Sequence, residues 1–398
     1  MSGSILTINA GSSSLKFAVF SNETTPRETL RGEIENLDAA PHLHARDTAG
    51  TILADQTWPQ NAAPPFVELP GILLNLASAH LDNGKLAAIG HRIVHGGATH
   101  IAPALATPAL LESLASLTPL DPLHMPHNLA PISAIAAAHP ALMQVACFDT
   151  AFHHTLPLVA QQFALPRALT LSGVRRYGFH GLSYEYIAAY LQNHHPVLAR
   201  GRVIAAHLGA GASLCALHNA VSIATTTGFS ALDGLVMATR CGRLDPGVLL
   251  YLGAQGYGFS DIENMLYRQS GLLGVSGISG DVRALLTSPH PHAKEALDLF
   301  TYQIACEIGG LTSALGGLDG LVFTAGIGEH APAIRAAICA RLAWLGVQID
   351  DAANNANAAL ISTPDSRIAI RVIATNEEAM IATHTQTLHR QNNPQEPR

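Results

Sequence analysis

The sequence predicts an α/β protein of two domains built as duplicated halves, and three observations carry that prediction. A length of 398 residues exceeds one ordinary hydrophobic core and suits two. Short apolar runs alternate with stretches of helical periodicity, as in an α/β layer. A strand–glycine hairpin–strand device occurs twice, about half a chain apart, in residues 5–20 (ILTINAGSSSLKFAVF) and 203–217 (VIAAHLGAGASLCAL).

In the first hairpin the glycine Gly11 permits a tight turn that brings backbone N–H groups close to an anion. The Ser12 and Ser14 hydroxyls, the Asn9 amide and the Lys16 ammonium supply further donors. This is not a Walker A loop, because GxxxxGK[ST] is missing and the residues after Lys16 read as strand. Gly209, Gly211 and Ser213 repeat the order in the second hairpin. Two such hairpins imply related halves that grip one phosphate chain from both sides of a cleft. Between them, residues 38–65, rich in turn formers, read as surface loops, and helical patterning resumes over 66–81. Apolar runs at 87–94 and 144–148 read as strands, the second after an alanine-rich helix, and the break between halves falls within 149–157. The second half continues with a further hairpin at 225–233, helices, and a buried strand at 320–325 that runs into Gly326, Gly328 and a helix. Residues 354–357 read as a polar loop, 367–374 as a strand and 376–389 as a helix.

Composition excludes some functions. With 13% charged residues and a net charge of −7, the chain lacks the basic face that nucleic acid or an anionic membrane requires. A site for an anion must therefore be local, built from a few arginines. Five scattered cysteines without a CxxC pair suit buried thiols in a reducing compartment. No basic-then-apolar leader and no run of membrane-spanning length is present, so the sequence predicts a cytoplasmic protein. His91 and His95 have the spacing of metal ligands on a helix, but Ile93, Val94, Gly96 and Gly97 make this a strand end, and adjacent His153 and His154 do not easily face one ion.

Nine blocks stand in order: INAGSSSLK at 8–16, HRIVHGG at 91–97, FDTAFHHTLP at 148–157, RRYGFHG at 175–181, HLGAGAS at 207–213, TRCGRLDP at 239–246, SGLLGVSGISGDVR at 270–283, TAGIGEH at 324–330 and TNEE at 375–378. On these blocks the chain resembles, over nearly its whole length, the acetate kinase (acetokinase) family of the acetate and sugar kinase, Hsp70 and actin superfamily. The resemblance implies two duplicated actin-like (ribonuclease H-like) domains with an ATP cleft between them. Residues 1–150 would form the acyl-substrate domain, completed by a C-terminal helix at about 378–398, and residues 151–377 the domain for nucleotide binding and dimerisation. It further implies transfer of the ATP γ-phosphoryl group to acetate or another short carboxylate, with magnesium or manganese, in a homodimer.

A carboxylate is ionised at neutral pH, so it needs no general base, and charge repulsion is what opposes reaction. Positioning and neutralisation should therefore dominate. By resemblance, Arg92 holds the carboxylate, Arg240 meets the transferring phosphoryl group, and His180 donates to its oxygens. Asp149 ends a strand, where an open α/β sheet commonly places an active-site carboxylate, and its family counterpart is catalytic. We read it as an orienting group, the competing reading being a strand-end cap. Residues 375–378 form an S/T-x-x-E capping box, which gives Glu378 a structural reason to be present. Glu377 has none, and by resemblance it joins Asn9 in a magnesium site, partly through water. Resemblance also places the phosphates against His207, Leu208, Gly209, Ala210 and Gly211, the ribose and adenine near Asp281, Val282 and Arg283, and the adenosine against Gly326, Ile327, Gly328 and Glu329.

The chain departs from the family pattern at several positions. Ala210 stands for the asparagine of HLGNG, Ala231 for the proline and Asp233 for the glutamate of GFTPLEG. The proline helps wall the acyl pocket, of which Val94 and Leu123 match the remaining wall, so Ala231 leaves room for propionate. The rival predictions are thus a propionate or broad short-chain carboxylate kinase, a non-catalytic member of the family, and an ATP-binding module of the Hsp70 or actin type.

Overall fold

The computed structural model describes residues 3–11, 14–37, 39–81 and 85–393. The chain divides into two compact units, Met1–Ala151 with Asn376–Arg398, and Phe152–Thr375.

In the first unit the strands are β1 (Ser4–Ala10), β2 (Leu15–Ser21), β3 (Glu28–Glu35), β4 (His42–Asp47), β5 (Ile52–Thr57), β6 (Leu86–Ile93), β7 (Ala104–Leu105) and β8 (Met143–Phe148). They form one sheet in the order β5-β4-β3-β2-β1-β6-β8-β7. β1 to β5 pair antiparallel in sequence order, whereas β1–β6 and β6–β8 are parallel. β1 is buried on both faces, as its near-continuous apolar sequence requires of a central strand. Leu73 and Ala77 of the helix Leu69–Ala79 cover one face with Ile8, Phe17 and Ile89. The helix Glu377–Asn392 covers the other, packing against β1, β6 and β8. Gly90 makes that approach possible: a Cβ there would meet Thr385 Oγ1 at 2.2 Å and Ile381 Cγ2 at 2.4 Å.

The second unit carries β9 (Arg202–Leu208), β10 (Ala212–His218), β11 (Val221–Thr225), β12 (Gly320–Thr324) and β13 (Ala369–Val372), in the order β11-β10-β9-β12-β13. Three antiparallel strands are again followed by two parallel ones. The same five-strand plan, β3-β2-β1-β6-β8 in the first unit, thus occurs twice. Alternation sorts the faces of β9. Ile204, Ala206 and Leu208 pack with Phe300, Ile304 and Ile308 of the helix Pro291–Leu315, and Val203 and Ala205 with Tyr184, Ile187 and Leu191 of the helix Gly181–His194.

Three expectations are corrected. Residues 38–65 are not simply loops, since β4 and β5 lie within them. Leu43 and Ala45 are buried while His42, His44 and Arg46 are not, a period-2 alternation that the proline and histidine content obscures. Residues 225–233 do not form a hairpin: β11 ends at Thr225 and residues 226–233 contain no strand. The Thr226 and Thr227 carbonyls accept instead from Arg176 Nη1, at 3.0 and 2.7 Å, so a side chain takes the place of a partner strand. Residues 354–357 are more than a loop. Asp351–Asn355 is a short helix, and the buried Asn354 accepts from Nε of the buried Arg335 at 2.8 Å.

Candidate active site

The predicted residues fall into two sets, one in each unit. In the first unit Arg92 stands near the end of β6 and Asp149 just beyond the parallel neighbour β8, with Asp149 N–H bonded to the Ile93 carbonyl at 2.9 Å. Arg92 donates to Asp149 Oδ2 from Nε (3.0 Å) and Nη2 (2.5 Å), and to Asn9 Oδ1 from Nη1 (3.2 Å). Asn9 in turn donates from Nδ2 to Glu377 Oε2 at 3.3 Å. Parallel pairing of β1 with β6, and the packing of the terminal helix over both, bring these three distant segments together. Burial opposes the Arg92 charge, but the Asp149 and Glu377 carboxylates outweigh it and raise its pKa. Burial pushes the Glu377 carboxyl up to about 7, against the pull of Arg92 and with Asp149 adding repulsion.

In the first hairpin Lys16 pairs in register with Asn9, and Gly11 N–H closes the loop on the Ser14 carbonyl at 2.8 Å. Lys16 also helps hold down the Glu377 pKa, though less than Arg92 does. Ser12 lies outside the described residues. Val94 and Leu123, expected to wall the acyl pocket, sit on separate loops. Val94 is buried with its N–H on Asn128 Oδ1 (2.8 Å), and half-buried Leu123 lies in a turn that Asp121 closes by accepting from His124 N–H. Asn128 was not foreseen. It also donates to the Ala10 carbonyl at 2.7 Å, tying the hairpin to the Val94 loop, and nothing local in the sequence marks it.

The terminal helix begins one residue later than the capping box requires. Asn376 is the N-cap, its side chain accepting from Ala379 N–H at 2.9 Å, so Glu377 and Glu378 are the first two helical residues. Thr375 has other partners: its N–H bonds Glu329 Oε1 at 3.1 Å and its hydroxyl lies 2.9 Å from Ser183 Oγ. Glu378 instead borders a polar hollow with Lys16, Glu28 and Arg31.

In the second unit the hairpin closes by a Gly209 N–H bond to the Gly211 carbonyl, at 3.0 Å, and the Ala210 carbonyl accepts from Ala238 N–H. His180 caps the helix Gly181–His194 in the left-handed region, φ 59°, a strained conformation for a non-glycine residue. Its ring stacks on His207 at 4.2 Å between centroids, and its Nδ1 lies 2.8 Å from Ser213 Oγ. A Cβ at Gly211 would come within 3.3 Å of His180 Nε2, so the glycine leaves the imidazole edge uncovered beside the hairpin. His153 holds this strained peptide. Its Nε2 donates to the Phe179 carbonyl (3.0 Å) while its Nδ1 accepts from Ser222 Oγ (2.9 Å), so the ring is neutral, with burial pushing its pKa down to about 4. The sequence shows only an unremarkable histidine pair at that point.

Arg240 donates to the Ala231 carbonyl at 3.2 Å, which brings together the positions expected for the phosphoryl arginine and the acyl pocket. Asp281 caps the helix Val282–Thr287 by accepting from Arg283 N–H, and pairs with the exposed Arg283 guanidinium at 2.7 Å. The Val282 side chain is buried in the core. The short helix Ala325–His330 follows β12, with open space at the Gly326 Cβ position, Gly328 buried and Ile327 partly buried against the core. The buried Arg335 fixes this segment by donating to the Gly328 and Glu329 carbonyls, both at 2.9 Å.

The family whose profile matches the chain is the acetokinase family, over residues 4–383. An acetate kinase of Rhodopseudomonas palustris (strain TIE-1) is 51% identical over 391 residues, covering 96% of this chain and 98% of that protein. An acetate kinase of Nitrobacter hamburgensis is 47% identical, covering 97% of this chain and 96% of that protein. Among solved structures, a propionate kinase from Francisella tularensis is similar with a TM-score of 0.89 at 36% identity, covering 97% of this chain and 100% of that one. Porphyromonas gingivalis acetate kinase is similar with a TM-score of 0.83 at 32% identity, over 97% of this chain and 100% of that one.

Proposed function

The chain belongs to the acetokinase family, and from that premise we propose that it transfers the γ-phosphoryl group of ATP to acetate, giving acetyl phosphate and ADP, and runs the reverse reaction on the same residues. The observation that carries the chemistry is Arg92, a cation held near a strand end by Asp149 and Asn9. Its three hydrogen bonds leave two of the five guanidinium N–H groups for a carboxylate. An acetate oxygen attacks the γ-phosphorus. The bond from that phosphorus to the oxygen shared with ADP breaks, and that oxygen keeps the electron pair. No proton is removed, so Asp149 orients Arg92 and takes no part as a base. Two like charges about 4 Å apart repel by about 4 kcal/mol at an effective dielectric near 20, and Arg92, Arg240 and His180 offset that repulsion as the reacting groups close.

The residues fit a hard cation with oxygen donors. Asp149 Oδ1 is buried with no hydrogen-bond partner among the described residues, and its charge interacts with the Glu377 carboxylate. Asn9, Glu377 and Asp149 would hold magnesium, largely through water, and manganese suits the same oxygen set. When bound, the cation supplies charge neutralisation at the ATP phosphates. His207, Leu208, Gly209, Ala210 and Gly211 face the phosphates in this reading, with Lys16, Ser12 and Ser14 on the first hairpin. Asp281, Val282, Arg283 and residues 326–329 receive the nucleoside.

A homodimer belongs to the same proposal. The helix Pro246–Ala254, PGVLLYLGA, has no buried residue, and Leu250, Tyr251 and nearby Phe259 are 78%, 62% and 82% exposed, which an apolar helix reaches by leaving a face for a partner. No helix among the described residues is long and apolar enough to cross a membrane, and a cytoplasmic setting fits a consumer of ATP.

The test is formation of acyl hydroxamate from ATP, acetate and hydroxylamine. Robust product with acetate is expected. Nucleotide binding without acyl phosphate would favour an ATP-binding module of the Hsp70 or actin type or a non-catalytic family member. One observation favours a second reading. Ala231 supplies no ring carbons to the pocket wall, so propionate is a candidate second substrate, and kcat/KM for the two acids decides between them.

A further inference from the structure

Inside the second unit, Thr324, Glu329, Thr375, Ser183 and His207 form one hydrogen-bonded series. Glu329 Oε1 accepts from Thr375 N–H at 3.1 Å, and Thr324 Oγ1 lies 3.5 Å from the same oxygen. The Thr375 hydroxyl is 2.9 Å from Ser183 Oγ, which is 2.8 Å from His207 Nδ1. Thr324 and Ser183 are fully buried and the Glu329 side chain is 15% exposed, so these contacts compete little with water. Both ends of the series lie in segments that face the nucleotide in the proposed function. Its middle, Thr375, is the last residue of this unit, and the chain passes directly into the Asn376 cap and Glu377.

We propose that Glu329 is a positioning residue: by holding the Thr375 amide it fixes where the chain leaves the nucleotide-binding unit, so that nucleotide occupancy sets the start of the helix that bears Glu377. This rests on the nucleotide site proposed above. A carboxylate on a part-buried amide makes a charge-assisted hydrogen bond, and its removal leaves that donor without its acceptor. A nucleotide that orders either end of the series orders the shared middle, and the coupling is reciprocal. The capping-box reading hid this role, because it assigned Thr375 to its own helix.

The experiment is hydrogen exchange by mass spectrometry on peptides spanning residues 375–379, with and without saturating ADP and magnesium. In wild type ADP slows exchange there. In Glu329→Leu that slowing is lost and the ligand-free segment exchanges about tenfold faster, the scale of one lost charged hydrogen bond. Glu329→Gln, whose amide oxygen still accepts, retains both properties. Ser183→Ala lessens the slowing alone and adds nothing in the Glu329→Leu background, as expected for one coupled series. The magnesium concentration for half-maximal turnover rises in Glu329→Leu while the acetate KM stays near wild type. Wild-type exchange in Glu329→Leu overturns the proposal, as do strictly additive effects, or loss of ADP binding with exchange at 375–379 unchanged. Should Glu329→Leu not fold, Thr375→Val removes the Ser183 contact while keeping the amide. Partial loss of the ADP effect supports the series, and wild-type behaviour overturns it. A wild-type protein that binds ADP but makes no acetyl phosphate refutes the proposed function while leaving the exchange result decisive. If wild type does not bind ADP, the ligand-free comparison decides alone.

Discussion

In the proposed mechanism Arg92 has two separable tasks, and its substitution should show both. Arg92→Ala removes a cation from the transition state, so kcat falls by about a hundredfold or more. It also strands Asp149, which is fully buried, with an uncompensated carboxylate, so the melting temperature should fall as well. Arg92→Lys keeps the charge but cannot bond Asp149 and Asn9 together in the same fork. Arg240→Ala should cost a similar factor of about a hundred in kcat. Near-normal turnover in either folded alanine variant rejects the assigned roles. The two glutamates separate differently. Glu377 accepts from Asn9 and burial raises its pKa against the pull of Arg92, whereas Glu378 borders the polar hollow with Lys16 and Arg31. Glu377→Gln should raise the magnesium requirement strongly and Glu378→Gln should leave it near wild type. Identical magnesium titrations of the two variants would show the division to be wrong.

At the scale of elements, the loop after β11 is the most informative. Its Thr226 and Thr227 carbonyls are taken by Arg176 and its Gly228 carbonyl by Tyr177 N–H, and it delivers both the Ala231 carbonyl and, nine residues on, Arg240, which donates to it. Because the contact with Arg240 uses the backbone carbonyl, Ala231→Pro preserves it while adding ring carbons at the proposed pocket wall. A hydrophobic contact of one methylene is worth about 1 kcal/mol, so propionate is expected within about tenfold of acetate in kcat/KM for the wild type. The proline variant should then prefer acetate more strongly. A wild-type preference of about a hundredfold or more, unchanged by proline, means that position 231 does not set the pocket. The glycines at 178 and 211 serve the same neighbourhood. Gly178, at φ 81°, leaves space for the His153 ring, which a Cβ would meet at 2.6 Å, and Gly211 does so for His180.

Two properties belong to the whole molecule. The first is the proposed association: if the homodimer forms through the helix Pro246–Ala254, Leu250→Asp or Phe259→Asp should give monomer in light scattering after gel filtration, and a wild-type protein that is monomeric at micromolar concentration rejects that interface. The second is acid lability. His91, donating from Nε2 to Gln144, and His153 are both buried and held neutral, with burial pushing their pKa values down to about 4. The unfolded chain takes up those protons near pH 6.5, the ordinary histidine value, and the folded one only near 4. Stability from these groups is therefore complete above about pH 6.5 and declines as pH falls toward 4. Denaturant titrations at several pH values should show that slope, and His91→Gln should reduce it; an unchanged slope in the variant argues against the assignment.

The sequence by itself determined the duplicated α/β plan and the family of actin-like kinases, because glycine turns, apolar strand runs and block spacing are local properties of a chain. Hairpin 5–20 and hairpin 203–217 are legible for that reason, as are Arg92 and Asp149 at or beyond strand ends. Tertiary structure alone decided which side chain holds which. That Asn128 joins Ala10 to Val94, that His153 supports the peptide before His180, and that Thr375 bonds Glu329 all depend on partners tens of residues or more away. Hydrogen bonds of that kind leave no period or spacing in a sequence. A local rule such as the capping box fails wherever a distant, better-buried acceptor competes for the same N–H.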